Sequence, residues 1–329
     1  MVRASARATP GKEALICGET RLTWGAFDKR INRVANMLLA RGLEKGDRIA
    51  VLSPNSAVYS ELFMGILRAG GCIVPLSTMA SPDALNKMLA DCGARVLFLA
   101  DQYRHLAEPF LPGLTLDRIA LDFSQEGFEE YEALLAGAAE TDPEIAIGMG
   151  DAFNLIYSSG TTGRPKGALL SSAALLANAV QSQHMHQMTA ADHILTVLPM
   201  FHVGGLNIQL TPALSLGATA TLHARFDPAA TLDAIAADRP TLTVLVPATM
   251  AAILAQPAFA TTDFSSLRAI ATGSTIVPEA LIAAIAARGP EVLCVYGATE
   301  TCPIAAYDRA GVPRQPGGTG RPGVLTDLA

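Results

Sequence analysis

The stretch "FNLIYSSGTTGRPKGALL", residues 153–170, decides how the fold is read. Its first residues are apolar and rich in strand formers, and they are followed by a punctuated polar segment. Three glycines and four hydroxyl residues lie between Ser158 and Gly167, and the chain then returns to the short apolar run "ALL". A strand thus feeds a polar loop, and the loop feeds another strand.

Working outward, strand-like runs alternate with helical periodicity. "WGAFDKRINRVANMLLARG" (24–42) reads as a helix with Phe27, Ile31, Val34, Leu38 and Leu39 on one face. "RIAVLS" (48–53), "CIVPLS" (72–77), "ARVLFLA" (94–100) and "RIALDF" (118–123) read as strands, with helices at 56–70 and 81–93 between them. Residues 138–150 read as a connection between lobes. Beyond the opening stretch, a helix with Ser171 or Ser172 as N-cap leads to "HILTVLP" (193–199), a strand. "GGLNIQLTPALSLG" (204–217) reads as one helix, and "ATATLHA", "TLTVLVP", "LRAIATG" and "EVLCVYG" read as strands separated by further helices. Strands such as "TLTVLVP" are apolar throughout, as burial on both faces requires. The alternation predicts an α/β fold of two doubly wound, mostly parallel sheets with helices on both faces. The expected lobes are 1–150 and 151–315, with a further subdomain starting at 316–329. Ligands of such sheets sit beyond the strands' carboxyl ends. Loops 158–167, 272–275 and 296–301, together with "PMFHVGG" (199–205), are therefore expected to converge on one crevice.

Composition narrows the function classes. The chain has 329 residues, 24 Lys and Arg against 30 Asp and Glu, and a net charge of −6. An acidic chain with no basic cluster is a poor nucleic-acid binder. No apolar run approaches the roughly 18 residues that span a bilayer, and the amino terminus lacks a secretory apolar core. Stable membrane insertion is not expected, and a cytoplasmic location is. The five cysteines are scattered without a C-x-x-C pair, as for buried thiols in a reducing compartment. His184 and His186 have no carboxylate or cysteine at ligand spacing, so they read as structural.

In the opening loop, the glycines let successive N–H groups face a concavity, an arrangement that binds anions. Ser158, Ser159, Thr161 and Thr162 add hydroxyl donors, and Lys166 adds a point charge suited to phosphate oxygens. The segment is not a Walker A loop, because Pro165 stands where the second glycine belongs and the loop leads to a strand.

With these residues the sequence resembles the adenylate-forming enzymes: acyl- and aryl-CoA synthetases, adenylation domains and luciferases. "SSGTTGRPKG" is similar to their signature loop, "PMFHVGG" to their acyl-pocket block, "YGATE" (296–300) to their nucleotide and magnesium block, and "GGTGRP" (317–322) to the passage into the next subdomain. The resemblance implies ATP-dependent activation of a carboxylic acid to an acyl-adenylate, then transfer to coenzyme A. It places ATP against Ser158, Ser159, Gly160, Thr161, Thr162, Gly163 and Lys166, and against Gly273, Ser274, Thr275, Tyr296, Gly297, Ala298 and Thr299. Thr161, Lys166, His202 and Glu300 are the implied catalytic set, with Glu300 holding Mg²⁺. The implied acyl pocket is His202, Val203, Gly204, Leu206, Ala298, Cys302 and Ile304. The family's Gly-Gly-Ala-Pro-like adenine wall is replaced here by Gly273, Ser274 and Thr275, which leaves the adenine contacts open.

No acid lies between Asp192 and Asp227 to pair with a substrate ammonium, so an amino acid is not expected and a fatty, branched or aromatic acid is. The resemblance also implies a β-barrel subdomain and a C-terminal domain carrying a catalytic lysine. No lysine follows Lys166, so the expectation is an N-terminal domain that binds nucleotide and turns over little alone. A carrier-protein thiol as acceptor, or a nucleotide-binding module without chemistry, are the alternatives. A homodimer is compatible with the sequence.

Overall fold

The apolar runs organise as strands because their β-branched and aromatic side chains fit a surface buried on both faces. The structure is a computed structural model, and it describes residues 2–158 and 166–327. The strands in chain order are β1 (Glu13–Cys17), β2 (Thr20–Thr23), β3 (Arg48–Leu52), β4 (Cys72–Pro75), β5 (Val96–Leu99), β6 (Asp117–Ala120), β7 (Glu129–Glu130) and β8 (Ala152–Ser158). They continue as β9 (Lys166–Ser171), β10 (His193–Thr196), β11 (Thr219–Leu222), β12 (Leu242–Val244), β13 (Ala269–Gly273), β14 (Glu291–Tyr296), β15 (Ala306–Tyr307) and β16 (Arg321–Pro322).

They form two mostly parallel sheets, as the alternation predicts. One has the order β7-β6-β5-β3-β4-β8-β9, parallel except for the β8–β9 pair. The other has the order β16-β15-β14-β13-β12-β10-β11-β1-β2. Its central strands are parallel, while β1–β2, β14–β15 and β15–β16 are antiparallel. By contact the chain divides into residues 25–173 and residues 1–24 with 174–329. This differs from the expected boundaries at 150 and 315. β8 adds beside β4, so the opening stretch belongs to the first sheet, and β1 adds beside β11 in the second. Residues 321–322 extend the second sheet through β15.

In the unit of residues 25–173, alternate strand residues serve opposite faces. Ala50, Leu52, Val74, Leu97 and Leu99 pack with Leu85, Met88, Leu89 and Cys92 of helix Pro82–Cys92. Phe98 faces the other way and meets Tyr131 edge-on at 6.1 Å, while Phe63 of helix Ala57–Arg68 meets Phe153 in the same manner. Helices therefore cover both faces. Of the face read in helix Trp24–Ala40, Phe27, Ile31, Val34 and Leu38 are fully buried and Leu39 is half-buried. Fully burying one such side chain is worth about 1.5–3 kcal/mol.

In the other unit, helices Pro228–Ala237, Pro247–Leu254 and Glu279–Ala286 pack Leu232, Ile235, Met250, Ile253, Ile282 and Ile285 against Leu195, Ile270 and Val292. A buried node stands where β10 begins. Asp192 accepts from Arg268 (2.8 and 3.3 Å), from Thr241 Oγ1 (2.6 Å) and from the Thr189 N–H (2.8 Å). Burial alone would raise its pKa, but these donors hold it below the ordinary carboxylate value. The four cysteines Cys72, Cys92, Cys294 and Cys302 are buried, Cys17 is half-buried, and all five are free thiols.

Candidate active site

Parallel strands end on one side of their sheet, so the loops that follow β10, β13 and β14 start on the same edge, with β12 between β10 and β13. They enclose a cleft of about 200 Å³, small beside the roughly 300–1,000 Å³ usual for small-molecule sites. Its walls come from all three loops: His202, Val203, Gly204 and Ile208 after β10, Ser274 after β13, and Gly297, Ala298, Thr299 and Pro303 after β14, with Val295 from β14 itself.

Glycine makes this closure possible. A Cβ at Gly297 would lie 1.4 Å from the Pro303 carbonyl oxygen, and one at Gly273 would lie 2.2 Å from that of Val295. Neither position tolerates a side chain, so the backbones can approach only as glycine. Ser274 has φ 74°, the left-handed region that favours glycine, and its side chain borders the cleft.

His202 caps the short helical turn Val203–Gly205, with Nδ1 accepting from the Gly204 N–H at 3.1 Å. That acceptor role puts the proton of the neutral ring on Nε2. The residue is exposed, yet the surrounding walls desolvate its ring and lower its pKa, which keeps it neutral at pH 7. After this turn comes a π-helical turn, Leu206–Leu210, and then helix Thr211–Leu216 with Gly217 as a left-handed C-cap. The single helix expected over 204–217 is therefore interrupted.

The implied site residues fall into distinct places. His202, Val203, Gly204, Ser274, Gly297, Ala298 and Thr299 meet at the cleft. Leu206, Cys302 and Ile304 are each only 1% exposed and lie outside its lining, whereas Ile208, Val295 and Pro303, which the sequence did not single out, form it. Gly273 is buried, and Thr275 is exposed on the following loop. Burial pushes the Cys302 thiol up to about 12, so it is no nucleophile. Tyr296 ends β14 with its ring 59% exposed, and Glu300 sits exposed on the 3₁₀ turn Thr299–Thr301. Among the described residues no group of three or more His, Cys, Asp or Glu side chains gathers to hold a metal. Glu300 therefore offers a single hard-oxygen ligand, which suits a magnesium ion that takes its other ligands from phosphate and water.

Ser158 and Lys166 belong to the other unit. They face each other across the β8–β9 hairpin, where Ser158 Oγ donates to the Lys166 carbonyl at 3.5 Å. Tyr157, one residue earlier, donates to Asp91 at 2.5 Å. The implied phosphate-loop residues Ser159, Gly160, Thr161, Thr162 and Gly163 lie outside the described residues. His186 is fully buried with its pKa lowered to about 4, and His184 bonds Tyr307 at 2.9 Å, so neither is arranged as a metal ligand.

A sequence profile described as AMP-binding enzyme matches residues 2–329. Indoleacetate–CoA ligase of Aromatoleum aromaticum is 43% identical over 315 residues, which is 95% of this chain and 62% of that protein. Feruloyl-CoA synthase of Amycolatopsis is 34% identical over 98% of this chain and 64% of its own length. The crystal structure of the anthranilate CoA ligase AuaEII in complex with anthranoyl-AMP superposes with a TM-score of 0.93 at 27% identity, covering 98% of this chain and 64% of that one. The chain thus spans somewhat under two thirds of the length of these relatives.

Proposed function

The chain belongs to the AMP-binding enzyme family, and from that premise we propose that it activates a fatty, branched or aromatic carboxylic acid with ATP, the full-length protein then passing the acyl group to coenzyme A. In the first step a carboxylate oxygen bonds to the α-phosphorus, the bond from that phosphorus to the bridging oxygen breaks, and pyrophosphate leaves with the electron pair. In the second, the coenzyme A sulfur bonds to the acyl carbon and AMP leaves.

The observation that carries the reading is the meeting of three strand-end loops at one cleft of mixed polar and apolar lining, with the exposed His202 among its walls. A carboxylate is ionised at neutral pH and needs no base. His202 therefore serves as a neutral Nε2–H donor to the carboxylate or α-phosphate oxygen, stabilising charge where it develops. Thr299 adds a hydroxyl residue to the same lining, and the exposed Tyr296 ring offers a face for adenine. Ser158, Lys166 and the loop between them take the β- and γ-phosphates. Glu300 would hold Mg²⁺, which when bound neutralises phosphate charge. Among the described residues the cleft lining contains no carboxylate to pair with an ammonium, which disfavours amino acids.

The test is acid-dependent exchange of pyrophosphate into ATP by the full-length protein over a panel of carboxylic acids. Exchange with an apolar acid is expected, with loss in Lys166→Ala and a large fall in His202→Ala. No exchange with any acid, or full exchange in both variants, refutes the proposal.

A further inference from the structure

We propose that the cleft admits compact acyl groups of aryl size and rejects long unbranched chains, because a buried hydrogen-bonded layer closes its inner wall. This deepens the reading above and rests on it. The cleft lining includes Ile208 and Pro303. Both are tied, directly or through the next residue, to polar side chains with almost no exposure. The Ile208 carbonyl accepts from Ser182 Oγ at 2.5 Å. The carbonyl of Asn207 accepts from Asn178 Nδ2 at 2.7 Å, and its side chain is engaged by Thr211 and by Cys302 Sγ. Asn178 Oδ1 accepts from the Ile304 N–H at 3.3 Å, and Gln181 donates to the Ile304 carbonyl at 2.8 Å. Asn178, Ser182, Asn207 and Thr211 are at most 1% exposed.

A chain growing inward gains with each methylene that leaves water, until it meets this layer. To go further it must separate donors from acceptors that have no water to turn to, and each orphaned group costs more than a methylene gains. The core is close-packed, so the displaced side chains have nowhere to go. A second void, of only about 10 Å³ and lined by Leu195, Val197, Gly205, Gln209 and Val244 among others, shares no lining residue with the cleft.

Binding of acyl-sulfamoyl-adenosines, stable mimics of the acyl-adenylate, to this chain by calorimetry tests the inference without turnover. Phenylacetyl- and benzoyl-sulfamoyl-adenosine are expected to bind at least about tenfold more tightly than the dodecanoyl compound, a gap of roughly 1.4 kcal/mol. Ile208→Ala, which deepens the pocket without touching the polar layer's side chains, is expected to narrow that gap. Equal binding of dodecanoyl and phenylacetyl compounds by the unsubstituted chain overturns the size limit and leaves the adenylate reading standing. Binding of sulfamoyl-adenosine itself but of no acylated form overturns it as well, and removes the acyl role of the cleft. If none of the compounds binds, the adenylate reading falls and takes this inference with it.

Discussion

Replacing Gly297 with alanine asks whether the cleft depends on backbone approach. The new Cβ would stand 1.4 Å from the Pro303 oxygen, where real contacts are not below 3.0 Å. The two segments must therefore part by about 1.6 Å, an overpacking strain of roughly 1–3 kcal/mol. The parting cannot be confined to one atom. Thr301 Oγ1 donates to Pro303 O at 2.8 Å and receives the Ala298 N–H at 2.9 Å, so Gly297, Ala298, Thr299 and Pro303 are knotted together. All four line the cleft. If half or more of that strain is felt by the bound mimic, about 1.4 kcal/mol, affinity for phenylacetyl-sulfamoyl-adenosine should fall about tenfold or more. The sheet core lies elsewhere, and the chain should still fold with a lower melting temperature. Gly11→Ala, with nothing within 4 Å of the added Cβ, is the control and should be silent. An unchanged melting temperature together with unchanged affinity in Gly297→Ala would refute the reasoning.

Two further substitutions read stability. Asp192→Asn sets an amide N–H₂ against the Arg268 guanidinium in a buried site and should cost about 3 kcal/mol in denaturant unfolding; a loss under about 1 kcal/mol would show the node to be idle. Because the folded pKa of Asp192 is depressed, its contribution is present above the unfolded carboxylate value and is lost as pH falls through the folded one. The unsubstituted chain should therefore lose more stability below about pH 4 than Asp192→Asn does, and parallel acid profiles would contradict this. At Ser274, with φ 74°, Ser274→Gly should hold or slightly raise the melting temperature, whereas the β-branched Ser274→Val should cost about 1–2 kcal/mol; equal losses in both would mean that the left-handed backbone is not the cause.

The elements were legible because each buries a stripe with its own period. Phe27, Ile31, Val34 and Leu38 announce a helix wherever that helix later docks. Which sheet a strand joins is a non-local choice and leaves no mark in the strand itself. β1 sits beside β11, about 200 residues away in sequence, and β8 beside β4. Boundaries drawn in chain order at 150 and 315 missed both. The two-residue antiparallel strand β15 is too short to show a period at all.

The site shows the same division one level down. Three of the four loops that the motifs mark border one cleft, but the choice of lining residue depends on local backbone hand. The resemblance counts Leu206 into the acyl pocket. The π turn over Leu206–Leu210 adds a residue to the turn, which shifts every later side chain around the axis. Ile208 lines the cleft, whereas Leu206, at the start of the turn, is buried. After β14, Cys302 takes φ 72°, and its thiol receives a hydrogen bond from Asn207 inside the protein. Its neighbour Pro303 is left to form the wall. In both places a spacing rule assumes regular backbone, and regular backbone gives way where a loop must wrap a ligand. Ser274 marks the third such place: a non-glycine residue held at positive φ in the lining of the cleft. Departures of this kind persist only where the surroundings over-determine them: Ser274 and Ile208 line the cleft, and Cys302 stands next to the lining residue Pro303.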